Sequence, residues 1–293
     1  MKWKIKIKNL EKSYTRFFVF FSDPGGYNFL KPVIPLLGSK TFCIFEGWAS
    51  KINNNKDISF SNIDLRKNDC IFLTQQTDIK KMRKNIKILK KYDTYFFCDS
   101  WNEISTILNE FEKQNFYPKK IFVSDKFAKK IVLCSTNSIA LKKRVYVFGN
   151  PFFEIFKKKV KKKFQEKTKK TIYFILDPET KNIGYTWKES ISYALKLREY
   201  AYKNYKIIFR PHPKQEIFQL KSFLEENNVK NFEVTVDSLE YFFATSEEIW
   251  GITSVLCMFA IKLNKIVKLF QPNRNNLGKS LSNSLMDEYI YGF

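Results

Sequence analysis

The fold is decided by the stretch Ile207-Ile208-Phe209-Arg210-Pro211-His212-Pro213-Lys214. An apolar strand there runs into a basic turn that carries the only histidine among the 293 residues. Proline on both sides of His212 fixes an extended backbone and holds the imidazole on a stiff loop at the carboxyl end of a strand. Ligands bind at this edge of open α/β sheets. The alternative is that His212 has only a structural role, with its hydrogen bonds made within the loop or the core.

Short apolar runs of the same kind recur in both halves of the chain. In the first half they cover residues 17–21, 41–45, 70–73, 95–98, 121–123 and 145–148, with helical patterns between most of them. In the second half, runs at 171–176, 206–209, 232–236 and 265–270 alternate with helical patterns at 187–202, 217–227 and 255–263. Alternation of strands and helices predicts doubly wound, mostly parallel sheets. Residues 1–15 alternate apolar residues with lysines, which predicts an edge strand or a surface arm.

The sharpest change in composition is a lysine-rich tract at residues 156–170. We interpret this tract as an interdomain linker, which divides the chain into domains 1–153 and 154–293. The predicted fold class is therefore α/β, with two Rossmann-like domains and a cleft between them. Apolar residues at four-residue spacing within the tract leave two alternatives open: a short amphipathic helix on membrane phosphates, and a solvated surface helix.

Composition excludes disorder and argues against a transition-metal site. Hydrophobic residues make up 44% of the chain and aromatic residues 17%, so the protein is globular. The five scattered cysteines suit free thiols in a reducing compartment, and one histidine is too few for an ordinary transition-metal site. No signal peptide or long apolar segment is visible, which predicts a cytoplasmic protein. We expect no metal and no cofactor.

The chain has a formal net charge of +23, from 52 Lys and Arg against 29 Asp and Glu. A charge of this size attracts anionic membranes, nucleic acid or polyanionic substrates. A compositional bias of the coding sequence explains the lysines equally well. The charge therefore indicates peripheral contact with an anionic inner membrane as one alternative.

A glycine-containing turn follows the first buried strand, in the sequence Ser22-Asp23-Pro24-Gly25-Gly26-Tyr27-Asn28. A strand, two glycines and a helix start let backbone N–H groups approach an anion or a sugar closely. The motif is neither the dinucleotide fingerprint nor a P-loop. We predict a substrate-contacting loop at Gly25, Gly26 and Asn28, with a plain tight turn as the alternative.

Polar residues follow other strands as well. Asp99 comes directly after the run at 95–98, and it could serve either a site or the amino terminus of the next helix. In the second half, Thr253 and Ser254 follow Gly251 at the predicted start of a buried helix. Together with Arg210 and His212 on a neighbouring strand end, they could grip a nucleotide phosphate. Helix capping alone would also explain the Thr-Ser pair.

The Arg-Pro-His-Pro turn at 210–213 and the Gly-x-Thr-Ser helix start at 251–254 resemble motifs of GT-B-type glycosyltransferases. The resemblance extends to bacterial sialyltransferases, polysialyltransferases and capsule or lipooligosaccharide transferases, and to polymerases that use CDP-polyols in teichoic acid synthesis. In the sialyltransferases, His-Pro and Ser-Ser or Thr-Ser motifs hold the CMP part of the donor. The resemblance implies an acceptor-side first domain and a nucleotide-binding second domain that uses Arg210, His212, Pro213, Thr253 and Ser254.

One motif of those sialyltransferases is missing here. They carry an Asp/Glu-Asp/Glu-Gly triplet whose carboxylate is the general base, and this chain has no such triplet in its first half. Transfer still requires a base for the acceptor hydroxyl and a charge stabiliser for the departing phosphate. Asp23 and Asp99 lead as candidates for the base because each directly follows a predicted strand. Asp125 and Glu46 are weaker alternatives.

These observations predict a glycosyltransferase of surface-glycan biosynthesis. The favoured reaction moves a sialic-acid-like nonulosonic acid from a CMP-activated donor to a glycan hydroxyl, with inversion and without a metal. The expected partners are the nucleotide-sugar donor, the glycan acceptor and an anionic membrane, and no nucleic acid is expected. A nucleotide-sugar hydrolase or 2-epimerase is the enzyme alternative, and a basic nucleic-acid-binding protein is the other.

Overall fold

The computed structural model describes residues 2–52, 55–76, 78–99, 104–163, 168–177, 186–213, 215–237, 239–252 and 254–271. The chain divides into two compact units, Met1–Glu154 and Ile155–Phe293. Each unit is built around a parallel sheet of its own.

Within its described residues, the first unit contains a six-stranded sheet in the order β2-β1-β3-β4-β5-β6. Every pair of neighbours in it is parallel. Its strands are β1 (Arg16–Phe21), β2 (Thr41–Phe45), β3 (Asp69–Thr74), β4 (Asp93–Cys98), β5 (Lys120–Val123) and β6 (Val145–Val147).

The helices of the first unit connect these strands and cover the sheet. They are α1 (Lys2–Glu11), α2 (Pro24–Leu30), α3 (Trp48–Ile52), α4 (Ile79–Leu89), α5 (Ile104–Lys113), α6 (Lys126–Cys134) and α7 (Ile139–Lys142), with short 3-10 helices at Ile34–Leu36 and Phe60–Asn62. A strand–helix alternation of this kind is how a parallel sheet is connected, because parallel strands need crossovers.

Burial of β1 on both faces explains its uninterrupted apolar sequence. Residues 17–21 are all buried, and they alternate between the two faces of the sheet. On one face Phe17 packs edge-on against Phe72, and on the other Phe20 packs against Phe60. The strand therefore has no polar face, as predicted for the interior of a parallel sheet.

The amino-terminal residues form a helix, and the predicted edge strand or surface arm is wrong. Trp3 and Ile7 are buried, at 4% and 0% exposure, whereas Ile5 is 64% exposed. Apolar residues at positions 3, 7 and 10 share one face of a helix, and this face packs into the core of the first unit. The sequence also contains the alternating pattern of a strand at positions 3, 5 and 7, but Ile5 is not buried in the structure.

The second unit contains, within its described residues, a five-stranded sheet in the order β11-β10-β7-β8-β9. All of its neighbours are parallel. The strands are β7 (Thr168–Ile175), β8 (Lys206–Arg210), β9 (Phe232–Val234), β10 (Ser246–Gly251) and β11 (Ile266–Leu269). The helices that follow α8 (Pro151–Lys162) are α9 (Trp187–Ala201), α10 (Ile217–Glu226), α11 (Leu239–Thr245) and α12 (Val255–Lys262).

The lysine-rich tract is mostly helix and strand, so its interpretation as a linker is wrong. Residues up to Lys162 belong to α8, and β7 begins at Thr168. Phe156 and Val160 are buried, at 1% and 5% exposure, and the ring of Phe156 contacts Phe243 and Phe259. The apolar side of the amphipathic helix is thus used in the core of the second unit, and its lysines face outward.

No helix in the described ranges is both long enough and apolar enough to span a membrane.

Candidate functional site

The first unit changes its winding direction at β1. The strand that follows β1 in the chain lies on one side of it, and β3 lies on the other side. In open α/β sheets, ligands bind outside the carboxyl ends of the strands at such a switch point. Here the crevice is formed by the segments after β1 and β3, which contain Ser22, Asp23 and Gln75.

Hydrogen bonds fix these two segments to each other. The Ser22 hydroxyl donates to the Gln75 carbonyl oxygen at 3.2 Å, and the Thr74 hydroxyl donates to the Phe20 carbonyl oxygen at 2.9 Å. Both bonds join the end of β1 to the end of β3. The walls of the crevice are therefore held in place before any ligand arrives, which favours a precise site.

Gly25 and Gly26 lie in the first turn of α2 and not in a loop. Neither has a positive φ, so their role is to leave space. A Cβ on Gly25 would lie 2.7 Å from Asp99 Oδ2, and a Cβ on Gly26 would lie 2.6 Å from Thr74 Cβ. Only glycine lets the start of α2 approach the ends of β3 and β4 this closely. The glycine pair thus brings Asp99 to the switch point.

Asp99 follows β4 and has an unusual environment. The residue is partly exposed, but its Oδ1 is buried and has no hydrogen-bond partner among the described residues. The pKa of the carboxyl is raised to about 7, chiefly by burial and also by the charge of Asp23, while hydrogen bonds from the backbone N–H groups of Asp99 and Gln75 act in the opposite direction. A carboxyl that titrates near neutral pH can accept a proton and later release it.

Asp23 and Asp99 therefore form a pair of interacting carboxylates at one switch point. Asp23 occupies the position before α2, with extended backbone angles, and its side chain does not cap the helix. A second negative charge nearby disfavours ionisation of Asp99, so a proton taken from a substrate can be held there. The arrangement fits a general base supported by a neighbouring charge.

The other predicted residues of the first unit have different surroundings. Asp125 caps α6, because its Oδ1 accepts the Ala128 backbone N–H at 2.8 Å. Glu46, after β2, is buried with its Oε1 3.8 Å from Lys81 Nζ. Asn28 lies on the exposed side of α2. A structural role thus accounts for Asp125, and Asp23 and Asp99 are the carboxylates that the structure brings together.

The second unit has its own switch point, between β7 and β10. β8 and β9 lie on one side of β7, and β10 and β11 lie on the other. A Cβ on Gly251, the last residue of β10, would lie 2.3 Å from Cys257 Sγ and 3.2 Å from the Ile175 carbonyl oxygen. Glycine therefore leaves room at this position for the Cys257 side chain of α12 and for the carboxyl end of β7.

Ser254 is the N-cap of α12, and its hydroxyl accepts the Leu256 backbone N–H at 3.4 Å. Ser254 therefore caps α12 in this structure, which is one of the two roles predicted for the Thr-Ser pair. Thr253 lies outside the described residues. The hydroxyl of Ser254 can still donate its proton to a ligand while it accepts this bond.

The Arg-Pro-His-Pro turn lies at the end of β8, two strands away from β10. The Arg210 guanidinium donates through Nη1 to the carbonyl oxygens of Val236 and Asp237, at 2.8 and 3.2 Å. These acceptors follow β9, on the side of β8 that faces away from β10. The structure therefore uses Arg210 to fix the loop after β9, and it does not bring this Nη1 atom to Ser254.

The backbone around His212 is fixed by Gln215. The His212 N–H donates to Gln215 Oε1 at 2.7 Å, and the Gln215 N–H donates to the His212 carbonyl oxygen at 2.8 Å. Pro211 is buried, His212 is half-buried and Pro213 is exposed. The predicted stiff loop is present, with the imidazole at the carboxyl edge of the sheet.

Three residues of these crevices were not predicted from the sequence. Thr74 and Gln75 form the wall against which α2 packs, and Asp177 is buried at the end of β7. Burial raises the pKa of the Cys257 thiol, and the charge of Asp177 raises it as well. The two side chains are therefore close to each other. Each of these three residues ends or follows an apolar strand, and a polar residue in that position of the sequence is the feature that could have predicted it.

The described residues contain no group of three or more His, Cys, Asp or Glu side chains that could hold a metal ion.

Neither the known protein-family models nor the curated proteins include a match to this chain. Solved structures do match it. An S. aureus MnaA structure with UDP is 13% identical, with a TM-score of 0.58 over 87% of this chain and 78% of that chain. A UDP-GlcNAc 2-epimerase from Neisseria meningitidis, bound to UDP-GlcNAc, is 12% identical, with a TM-score of 0.59 over 87% of this chain and 82% of that chain.

The wall teichoic acid polymerase TagF is also similar, at 12% identity and a TM-score of 0.54 over 98% of this chain and 81% of that chain. Identities this low show the fold and nothing more. Together the structures confirm the predicted α/β fold with two Rossmann-like domains of the GT-B type. The polymerase belongs to a class that the motifs also resemble, whereas the likeness to sialyltransferases depends on the motifs alone.

Proposed function

We propose that this protein is an enzyme that acts on a nucleotide-activated sugar, and that it transfers the sugar to a hydroxyl group of a glycan. The observation that carries the proposal is the Asp99 carboxyl, with its pKa raised to about 7 at the switch point of the first sheet. Sugar transfer to a hydroxyl requires a base that is ionised at neutral pH and strong enough to take the proton. Asp99 meets both conditions.

The proton transfer accompanies the formation of the new glycosidic bond. The acceptor hydroxyl donates to Asp99, its oxygen attacks the anomeric carbon, and the bond from that carbon to the donor phosphate breaks. The proton remains on Asp99, and the electron pair leaves with the phosphate. One displacement of this kind inverts the anomeric configuration. Asp23 makes the protonated product state more favourable because it disfavours a second adjacent negative charge.

We assign nucleotide binding to the second unit. His212 and Pro213 follow β8, and Ser254 begins α12, so both lie at the carboxyl edge where α/β sheets bind nucleotides. His212 and the Ser254 hydroxyl are donors that suit a phosphate, and Thr253 would add a second hydroxyl. Arg210 acts on this edge through the loop that it holds. No metal is required for the transfer in this scheme.

The favoured donor is a CMP-activated nonulosonic acid, on the strength of the His-Pro and Thr-Ser motifs. The structures with UDP and UDP-GlcNAc point to UDP-sugars instead. A thermal-shift panel of CMP, CDP, UDP, GDP and TDP separates these donors. A nucleotide at about 100 times its Kd adds about 2.7 kcal/mol to the free energy of unfolding, which raises Tm by roughly 5 °C for a chain of this size.

We expect stabilisation by the cytidine nucleotides alone. A preference for UDP would remove the CMP donor from the proposal and leave the transfer step to be tested with UDP-sugars. If none of the five nucleotides raised Tm, the assignment of nucleotide binding to the second unit would be wrong.

A 2-epimerase of nucleotide sugars is the second candidate, because the similar structure from Neisseria meningitidis is a UDP-GlcNAc 2-epimerase with UDP-GlcNAc bound. An epimerase converts the nucleotide sugar without an acceptor, whereas a transferase releases free nucleotide only with one. Incubation with UDP-GlcNAc alone, followed by separation of the products, distinguishes the two. An epimerised nucleotide sugar without an added acceptor would favour this candidate.

The acceptor glycan would be assembled on a membrane, and α8 provides a basic surface for it. Lys158, Lys161 and Lys162 are exposed on the side opposite Phe156 and Val160. Each lysine close to an anionic bilayer contributes about 1 kcal/mol of attraction. We expect the Lys158→Gln, Lys161→Gln, Lys162→Gln variant to bind phosphatidylglycerol vesicles about 100-fold more weakly than the parent protein, in a sedimentation assay.

The matched control replaces three exposed lysines of the first unit, at positions 84, 87 and 91, by glutamine. It changes the net charge by the same amount. Equal losses in both variants would mean that the overall charge, and not α8, attracts the vesicles. No binding of the parent protein to anionic vesicles would exclude the membrane contact.

A further inference from the structure

A second cleft lies at the opposite edge of the first unit's sheet, where β4, β5 and β6 begin. Its volume is about 610 Å³, within the range of small-molecule sites. β4 has six residues, so the cleft and Asp99 lie at opposite ends of a strand about 20 Å long. The cleft is therefore separate from the switch point that carries the proposed chemistry.

Three cationic residues line this cleft, each from a different segment: Lys90 after α4, Lys119 before β5 and Arg144 before β6. Lys119 Nζ lies 3.2 Å from Asp93 Oδ1. Among the described residues, neither Lys90 nor Arg144 has a carboxylate within ion-pair distance. Two positive charges in the cleft are thus available to an anionic ligand.

Tyr117 gives the cleft an aromatic surface. The Arg144 guanidinium lies over its ring, 5.7 Å from the centroid, and Nη1 of the same guanidinium donates to the Ala140 carbonyl oxygen at 2.8 Å. Two independent contacts therefore hold the arginine in place. The residue Tyr117 is 40% exposed, so part of its ring remains accessible to a ligand. A fixed guanidinium beside an accessible ring can bind a carboxylate and the ring that carries it.

Asp93 restricts the class of anion that fits. Its side chain lines the same cleft and is 37% exposed, with Oδ2 accepting the Tyr14 hydroxyl at 2.9 Å. A carboxylate has acceptor capacity beyond two partners, and hydroxyl groups of a ligand can fill it. A deoxyribose-phosphate backbone has no hydroxyl donors for this carboxylate. The cleft therefore suits a polyhydroxylated anion better than DNA.

We propose that this cleft binds an acidic sugar, as a carboxylated unit of a glycan. Lys90 and Arg144 contact the carboxylate, the sugar ring packs on Tyr117, and Asp93 accepts from the sugar hydroxyls. The site takes no part in bond making. It would hold an acidic glycan at the edge of the sheet away from Asp99, so it does not depend on which reaction the switch point catalyses.

Titration calorimetry with a hyaluronan disaccharide, which carries one carboxylate, tests the proposal on the full chain. We expect measurable binding of this disaccharide and none of lactose. Arg144→Gln and Lys90→Gln should each weaken the binding by at least about tenfold, because each removes a charge-assisted hydrogen bond. Lys84→Gln is the matched control, since Lys84 is exposed on α4 and makes the same change of charge.

A third variant, Tyr117→Leu, removes the aromatic ring without a change of charge. It keeps the proposal testable if Arg144→Gln does not fold. It should also weaken binding while Tm stays within the range of the parent protein. The proposal is overturned if the disaccharide does not bind, or if Lys84→Gln weakens binding as much as the cleft variants do. It is also overturned if a ten-residue oligothymidylate displaces the disaccharide and binds more tightly, because the cleft would then be a nucleic-acid site.

Discussion

Asp99→Asn should reduce sugar transfer about 10²- to 10⁴-fold, the usual contribution of a general base. Asparagine keeps the size of the side chain but cannot accept the proton of the acceptor hydroxyl. Initial rates with saturating donor, measured at about pH 8, test this. The matched control is Asp78→Asn, which changes a carboxylate that caps α4 and keeps the cap. Its rate should equal that of the parent protein.

The pH dependence of the parent enzyme should show the same group. The pKa of Asp99 is raised to about 7, so the base is protonated at lower pH and kcat/KM falls about tenfold for each unit below pH 7. Asp99→Asn should abolish this acid limb. A variant that keeps the limb, or keeps full activity, would identify another residue as the base, with Asp23 as the next candidate.

Stability gives a readout of Asp99 that does not depend on knowing the substrate. The folded pKa of about 7 lies above the unfolded value of about 3.9, so the folded chain binds more protons than the unfolded chain between these values. Stability therefore falls as pH rises through this window. Because asparagine carries no charge, Asp99→Asn should melt at a higher temperature than the parent protein above pH 7. A lower Tm of this variant at pH 8 would contradict the prediction, because it would show that neighbouring groups stabilise the ionised Asp99 carboxylate in the folded chain.

His212→Ala should remove the rise in Tm that the preferred nucleotide gives, while the free variant melts as the parent protein does. The imidazole is half-buried, whereas the turn is held by backbone bonds with Gln215 and by proline, which alanine at position 212 leaves in place. Loss of a hydrogen bond to a phosphate weakens nucleotide binding by about tenfold or more. Calorimetric titration of the preferred nucleotide measures this directly.

The control for this prediction is Lys230→Ala. Lys230 is exposed and precedes β9, at the amino-terminal edge of the same sheet, where no nucleotide contact is expected. If His212→Ala unfolds the chain, the histidine is structural and the nucleotide assignment loses its main support. If it binds nucleotide as tightly as the parent protein, the assignment of His212 is wrong.

Much of the fold was determined locally. The apolar run of β1 has no polar alternation, so it could only be a strand covered on both faces, and the polar residues that follow each strand are then placed at one edge by the parallel arrangement. The Arg-Pro-His-Pro turn is fixed by its own prolines. These features need no knowledge of distant residues. For this reason the sequence predicted two α/β halves and the edges where sites would lie.

The amino terminus shows where a local pattern is not sufficient. Residues 3 to 10 contain apolar positions that suit a strand, at 3, 5 and 7, and others that suit a helix, at 3, 7 and 10. Both periodicities are present, so propensity cannot choose between them. The core of the first unit accepts Trp3 and Ile7 together and leaves Ile5 exposed. Burial of the helical face decided the outcome.

The apolar runs before Asp99 and before the Gly25-Gly26 pair are enough to predict that each follows a strand of a parallel sheet. The sequence alone could not show that they meet, because they are separated by more than 70 positions in the chain. In the folded chain the Asp99 carboxylate occupies the space that a side chain at position 25 would need. It lies near Asp23 and is partly shielded from water. The pKa of a carboxyl depends on burial and on neighbouring charges, and both are properties of the assembled sheet and not of the residue.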